Sequence, residues 1–168
     1  RGDMLFHDAT ICFQHWMSCA TCHPDEGRTD GLRWDLLSDG LGTPQRTRSL
    51  LLTHEMRPTT ARGVRKGSEE SVPKGIEFFL RKPEPDLVEP ITAYLQSLKP
   101  EPSPHLVGGK PSSAAARGKG LFDGKGDCVR CHGGELGTDL KAHKVGTGLP
   151  FYRPDDTFYT PKLVELYR

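Results

Sequence analysis

The chain has 168 residues, of which 23 are basic and 22 are acidic, for a formal net charge of +1 at pH 7. Apolar residues make up only 35% of the sequence, which is a thin supply for an ordinary core at this size. The balanced charge predicts no nucleic-acid partner, and the lack of an apolar run of about 18 residues predicts no transmembrane segment.

The first predicted element is a short N-terminal helix that carries Leu5 and Phe6. The stretch that follows is longer than its counterpart later in the chain and contains Cys12. We interpret Cys12 as a buried thiol, which is common for cysteine, or as half of an intermolecular disulfide in an oxidising compartment. With five cysteines in total, a framework made only of disulfides is disfavoured.

Two segments carry the same arrangement of two cysteines and a histidine. Residues 19–23 read Cys-Ala-Thr-Cys-His, and residues 128–132 read Cys-Val-Arg-Cys-His. This spacing is typical of c-type haem attachment, because the two thiols can bond to the vinyl groups on one porphyrin edge while the histidine reaches the iron. We therefore predict two covalently bound haem c groups, with the attachment residues Cys19, Cys22, His23, Cys128, Cys131 and His132.

Two other uses of paired cysteines fit the sequence less well. A thioredoxin-like redox pair needs a βαβ context, which neither segment shows. A structural zinc site made from the four cysteines would leave both histidines without a role. Because haem c is attached outside the cytoplasm, we predict a periplasmic or otherwise extracytoplasmic location.

The two motifs belong to a longer internal duplication. The pattern Arg-Gly-x-x-Leu-Phe precedes each motif, and a Thr-Asp pair follows each motif histidine by six positions. A third similar stretch lies further along each copy. The matching segments are 1–6 with 117–122, 29–30 with 138–139, and 47–51 with 160–164.

These patterns divide the chain into two units and a linker. Apolar residues at helical spacing predict a helix over 86–98, which would close a first unit over 1–99. Proline and glycine are frequent in 100–113, as in linkers, and a second unit occupies 114–168. The predicted fold is all-α, with two cytochrome c-like haem domains. The second domain stops about halfway through the repeat, so we expect the natural protein to continue or another segment to complete it.

The second axial position of each iron decides its chemistry. A strong sixth ligand favours electron transfer, and an empty position favours binding of a small molecule. For the first haem, His54 and Met56 follow an apolar run and are the candidate sixth ligands. The alternatives are an open site and a ligand from the inserted stretch, either His7 or His15.

For the second haem, the candidate sixth ligand is His143, the only imidazole that follows His132 in the sequence. The neighbouring lysines also fit a solvated loop at this position. Tyrosine can ligate haem iron, so Tyr152 and Tyr159 are the remaining options.

Several charged residues near the first motif are candidates for roles beside the haem. Glu77 is nominated as an acid–base group for peroxide, because apolar neighbours could bury its carboxyl; the alternative is an exposed helix residue. Arginine binds carboxylates through a rigid fork, so one or two arginines could pair with haem propionates instead of serving only solubility. These arginines are Arg28, Arg46, Arg48, Arg62 and Arg65.

The order of these motifs resembles the dihaem cytochrome c peroxidase superfamily, and within it a peroxidase-like branch of planctomycete-type genomes. The similarity covers nearly the whole chain, including Gly-Arg-Thr-Asp-Gly-Leu at 27–32 and Thr-Pro-Lys-Leu at 160–163. It implies that the N-terminal haem reacts with hydrogen peroxide and that the C-terminal haem receives electrons from a redox protein. It also implies a periplasmic protein, often a homodimer, with calcium between the haems.

Three features of the peroxidases are missing. Residues 34–40 contain no histidine, residues 59–65 contain no aromatic residue, and no Glu-Met-Gly sequence is present. The leading predicted function is therefore electron transfer through two haems in a peroxidase-like scaffold. The alternatives are hydrogen peroxide reduction at the first haem and an electron-relay role in a subunit of a larger redox complex.

Overall fold

The computed structural model describes residues 1–35, 44–146 and 156–167, and this part of the chain is mostly helical, as predicted. Single-turn 3-10 helices lie at Ala9–Ile11, Phe13–His15, Thr53–Glu55 and Cys128–Arg130. The helices are α1 (Gly2–His7), α2 (Cys19–Cys22), α3 (Pro24–Gly27), α4 (Ser68–Phe78), α5 (Pro85–Ser97) and α6 (Ser113–Asp123).

Two short antiparallel ribbons are an addition to the predicted all-α fold. The first pairs β1 (Arg33–Trp34) with β2 (Gln45–Arg46), and the second pairs β3 (Ala142–His143) with β4 (Phe158–Tyr159). Strands of two residues are too short to show the alternation by which strands are recognised in a sequence. The ribbons occupy corresponding places in the two repeats.

The core of the first unit forms where α1 crosses α5. Phe6 is 1% exposed and its ring centroid lies 5.2 Å from that of Tyr94 on α5. The predicted helix over 86–98 is thus confirmed as α5, which begins at Pro85, where proline is tolerated in the first turn. Gly2 permits the crossing, since a Cβ there would run into the carbonyl oxygen of Pro90.

The inserted stretch of the first unit contributes to this core. Cys12 is 3% exposed and is not in a disulfide, and it packs in the same cluster as Ile11 and Met17. The structure therefore matches the interpretation of Cys12 as a buried thiol.

The second unit repeats the start of the first, but the described residues leave its counterpart of α1 exposed. Among the described residues, every buried hydrophobic side chain lies within 5–98. Leu121 corresponds to Leu5 by the repeat, but it is 61% exposed where Leu5 is 7% exposed. A Cβ at Gly118, the counterpart of Gly2, would meet no atom within 4 Å. The division of the chain at 99 and 113 remains a prediction, although Ser112 caps α6 by accepting a hydrogen bond from the Ala115 N–H.

Across the described ranges, the helices are too short or too polar to cross a membrane.

The matched glycines test the crossing of α1 and α5. We expect Gly2→Ala to destabilise the protein by about 1–3 kcal/mol, because the added methyl overpacks the contact with Pro90. Gly118→Ala adds the same methyl in open space, and the gain in helix propensity predicts stabilisation of up to about 1 kcal/mol. Chemical denaturation of both variants measures the difference. Equal effects of the two substitutions would contradict the close approach at Gly2.

Candidate haem sites

The motif histidines are held in the same way in both repeats. The ring Nδ1 of His23 lies 3.2 Å from the carbonyl oxygen of Arg28, and that of His132 lies 2.9 Å from the carbonyl oxygen of Gly137. A carbonyl only accepts hydrogen bonds, so Nδ1 must be the donor in each ring. The neutral ring then keeps its lone pair on Nε2, which is the arrangement that a second-shell hydrogen bond gives to a metal-binding histidine.

Burial keeps the first motif neutral. Desolvation raises the pKa of the Cys19 thiol to about 12 and that of the Cys22 thiol to about 11. It also lowers the pKa of His23, against the opposing effect of the carbonyls of Arg28 and Arg48. A redox-active Cys-x-x-Cys pair needs a lowered thiol pKa, so this environment disfavours a thioredoxin-like role.

A large cavity opens beside the first motif. Its volume is about 780 Å³, within the range of roughly 300–1,000 Å³ that ligand and cofactor sites occupy. Cys19, Cys22 and His23 line it together with apolar side chains of the core, such as Phe6 and Ile76. Motif and cavity therefore fit a covalently held haem, with the histidine facing into the space.

The second motif has a smaller and more open pocket. His132 lines a cavity of about 460 Å³ with Phe122 and Val129, and the glycines that follow the motif complete one wall. Val129 is 39% exposed and Cys128 is exposed as well. The described residues thus cover one side of a group bound here.

The repeats also share a turn beside each motif. The carboxylate of Asp30 accepts a hydrogen bond from the indole Nε1–H of Trp34 at 2.8 Å, and that of Asp139 lies 2.7 Å from Nε2 of His143. Each aspartate also accepts a backbone N–H two residues later. His143 therefore fills the place that Trp34 has in the first repeat.

The described residues offer few sites for a metal ion other than haem iron. The one cluster of potential ligands joins Cys131, Asp139 and His143, whose ligand atoms lie within 4.8 Å of one another. Structural zinc sites use four ligands, and this cluster does not unite the four motif cysteines. The predicted calcium also remains a prediction, since no three carboxylates lie together within the described ranges.

The chain is similar to two curated proteins. It is 30% identical over 167 residues to hydrazine synthase subunit gamma of Kuenenia stuttgartiensis, an alignment that covers 88% of this chain and 47% of that protein. It is 24% identical over 183 residues to cytochrome-c peroxidase IdrP2 of Denitromonas iodatirespirans, with 86% and 50% covered. The chain spans about half the length of these curated relatives. No family model matches it.

Two solved structures share the fold. Hydrazine synthase of Kuenenia stuttgartiensis, pressurised with 20 bar xenon, superposes with a TM-score of 0.86 at 23% identity, over 99% of this chain and 70% of that chain. A MauG-like protein associated with microbial copper homeostasis superposes with a TM-score of 0.70 at 20% identity, over 96% of this chain and 64% of that chain. These relatives all come from one superfamily and include a planctomycete member. That superfamily is the dihaem cytochrome c peroxidase-like superfamily. The predicted resemblance is confirmed, and related superfamily members bind haem c.

The candidate sixth ligands of the first haem differ in their surroundings. His54 and Met56 line the large cavity. Nδ1 of His54 is buried and has no hydrogen-bond partner among the described residues, and Met56 is 8% exposed. His7 instead bonds to the carbonyl oxygen of Asp3 at 2.9 Å. The ligand role of His54 and Met56 stays a prediction, with the orphaned Nδ1 as the physical argument for His54.

The other candidates lie elsewhere. The described lining of the large cavity does not include His15, and it includes Tyr159 from the second repeat. Tyr152 lies outside the described residues. So do residues 36–40, part of the stretch 34–40 that contains no histidine. His143 is held by Asp139 near Cys131, on the side of the attachment motif.

Glu77 does not face the first cavity in the structure. Its carboxylate pairs with Lys74 at 2.5 Å, its side chain is 44% exposed, and it is not among the described lining residues. Residues of α4 that do line the cavity lie on another face, as Val72 and Ile76 show. This placement gives no support to the predicted acid–base role, and the exposed-residue alternative describes Glu77 better.

Two of the predicted arginines form ion pairs with carboxylates near the C-terminal end of the described chain. Arg28 forms a two-point ion pair with Glu165, at 2.5 Å from Nε and 2.8 Å from Nη2, and both side chains are buried. Arg62 pairs with Asp156 at 2.9 Å. Each of these pairs joins the first repeat to the segment 156–167, which closes one side of the cavity. Sequence reasoning named the arginines but missed their partners, because no local pattern links positions so far apart.

The buried pair is expected to hold the repeats together. Glu165→Gln leaves the Arg28 charge without its partner, and breaking a buried ion pair costs roughly 3–5 kcal/mol of stability. The matched control is Glu69→Gln, whose Arg57 pair is 62% and 51% exposed and should matter little. Thermal unfolding of the haem-loaded variants measures both, and equal losses would contradict the role of the buried pair.

The second turn predicts a pH dependence. Partial burial opposes ionisation of Asp139, but hydrogen bonds from His143, Thr160 and the backbone of Lys141 outweigh it and lower its pKa to about 2. The ordinary aspartate value is near 3.8, so its stabilisation is fully present above pH 4 and is lost as pH falls towards 2. The stability difference between wild type and Asp139→Asn should shrink over that window.

Denaturation of both proteins at several pH values measures this difference, with Asp86→Asn as an exposed control. A difference that stays constant from pH 5 to pH 2 would exclude the assigned role of Asp139.

Proposed function

We propose that the chain is a dihaem c-type cytochrome unit that transfers electrons between two haems outside the cytoplasm. The attachment residues are Cys19, Cys22 and His23 for the first haem and Cys128, Cys131 and His132 for the second. The observation that carries the proposal is the repeated hydrogen bond from Nδ1 of each motif histidine to a backbone carbonyl five residues later. When bound, each haem would supply an iron that takes up and releases one electron.

The segment 160–163 supports communication between the two sites. The Leu163 N–H donates to the carbonyl oxygen of Leu136 at 2.9 Å, and Leu163 packs against Gly137, which holds His132. The next residue towards the N-terminus, Lys162, donates to the carbonyl oxygen of Ser49 at 2.9 Å and lines the first cavity. One short segment thus touches the surroundings of both motifs, which favours electron transfer within the chain.

A second candidate function is peroxide reduction at the first haem. The curated relatives include a protein named as a cytochrome-c peroxidase. The large cavity could admit a small molecule if His54 does not occupy the sixth position. With His54 bound, the site would serve electron transfer alone.

We also propose that the chain acts within a larger redox assembly. The relative named hydrazine synthase subunit gamma is by its name a subunit of such a complex. In this chain the second unit exposes Leu121 and Val129 beside its motif, and the face that carries Leu121 corresponds to the one that packs against α5 through Leu5 in the first unit. A redox partner, a second copy of the chain or a further part of the natural polypeptide could cover that face.

The test is spectroscopic, on protein produced in cells that attach haem c. Intact mass should show two haems, and Cys19→Ser with Cys22→Ser should remove one of them. Two low-spin ferric signals that do not respond to peroxide would support electron transfer. His54→Ala should then convert the first signal to high spin, while His15→Ala, as a control, should not.

Other outcomes decide between the functions. A high-spin first haem in the wild type that reacts with peroxide would favour the peroxidase alternative. A protein that matures without covalent haem would overturn the proposal as a whole.

A further inference from the structure

Arg48 and Lys162 are basic side chains of the first cavity that have no ion pair with a carboxylate among the described residues. Arg48 and Lys162 both line it, and both are half-buried. Lys162 donates to the carbonyl oxygen of Ser49 at 2.9 Å and to Oγ1 of Thr53 at 3.1 Å, both neutral groups. Among the described residues, no carboxylate forms an ion pair with either cation.

The carboxylates that line the same cavity are already engaged or exposed. Asp30 accepts the indole N–H of Trp34 at 2.8 Å, and Glu165 is held by Arg28. The remaining acid in the lining, Asp25, is exposed. Within the described ranges, the carboxylates of the lining therefore leave Arg48 and Lys162 without an ion pair.

Such an arrangement costs free energy unless a further anion is bound. Desolvation lowers the pKa of Lys162 to about 8, and the positive charge of Arg48 adds to this effect. Desolvation also lowers the pKa of Arg48. Charges withdrawn from water are normally paired, so this part of the cavity wall is built for negative charge.

We propose that Arg48 and Lys162 bind the propionate carboxylates of the haem attached at Cys19 and Cys22, so that one residue from each repeat anchors the same haem. The proposal rests on the proposed function, because it needs a haem in this cavity. Arginine and lysine both pair with carboxylates, arginine through its fork and lysine as a point charge.

The internal repeat makes this anchor specific to the first haem. Lys162 occupies the position of Ser49, and Arg48 the position of Pro161, in the matched segments 47–51 and 160–164. Lys162 therefore bonds to the residue at its own position in the other repeat. In the described lining of the second cavity the basic residue is Lys119, which is already paired with Asp123.

The anchor also makes the first haem a link between the repeats. Lys162 belongs to the segment 156–167, which packs against the first unit through Arg28–Glu165 and Arg62–Asp156. A propionate held by Lys162 adds a contact between that segment and the haem. Loading of the first site should therefore slow hydrogen exchange in 156–167.

The test compares haem-loaded Lys162→Gln and Arg48→Gln with the exposed control Lys110→Gln. Both variants should keep two haems by intact mass. Loss of a cation should shift the midpoint potential of the first haem to a more negative value and leave the second unchanged. The propionate bands of the first haem in resonance Raman spectra should move, and exchange of 156–167 should become faster in Lys162→Gln. Lys162→Arg should restore most of these properties.

The outcomes separate this proposal from the one on which it rests. Suppose that haem is attached at the first site and that Lys162→Gln and Arg48→Gln both match Lys110→Gln in midpoint potential, propionate Raman bands and hydrogen exchange. That result would overturn the proposed binding of the propionates and leave the haem assignment standing. Absence of haem from Cys19 and Cys22 in the wild type would overturn both. If Lys162→Gln does not fold, Arg48→Gln and Lys162→Arg carry the same comparison.

Discussion

The rest of the structure depends on Arg28, which connects three parts of the molecule. Its backbone carbonyl accepts the Nδ1–H of His23, and its guanidinium is locked against the carboxylate of Glu165. The same side chain donates to the carbonyl oxygen of Asp25 at 2.5 Å. The orientation of the first motif histidine is therefore coupled to the docking of the second repeat, and a buried two-point ion pair gives that coupling a defined geometry.

The two repeats show what a duplication keeps and what it changes. Both keep the histidine–carbonyl bond and the aspartate turn, whose hydrogen bonds agree to within a few tenths of an ångström. They differ in covering, since α5 packs on α1 while the described residues leave Gly118 and Leu121 open. Local hydrogen bonds follow from short sequence motifs. Burial of a helix face depends on whether another element packs against it.

The sequence predicted the features that are local and missed those that are long-range. The attachment motifs and the α5 helix are patterns of neighbouring residues, which spacing and periodicity predict. The duplication was predicted because such short patterns occur twice. The Arg28–Glu165 pair spans 137 positions, and the position of Lys162 beside the first cavity depends on how the repeats meet. The place of His143 could have been anticipated, because it follows Asp139 by the same four positions that separate Trp34 from Asp30.

The difference in enclosure gives the two sites different chemical capacities. The first is lined by a buried core and by basic residues from both repeats, and its sixth ligand, or a small molecule in that position, would decide its behaviour. At the second, the described residues leave Cys128 and Val129 exposed. Electrons that enter at the exposed site and leave at the enclosed one would follow the segment that contacts Gly137 through Leu163 and Ser49 through Lys162. The direction of the proposed transfer is set by the reduction potentials of the two haems, which axial ligands, hydrogen bonds and burial tune, so two repeats with the same attachment motif can hold haems of different potential.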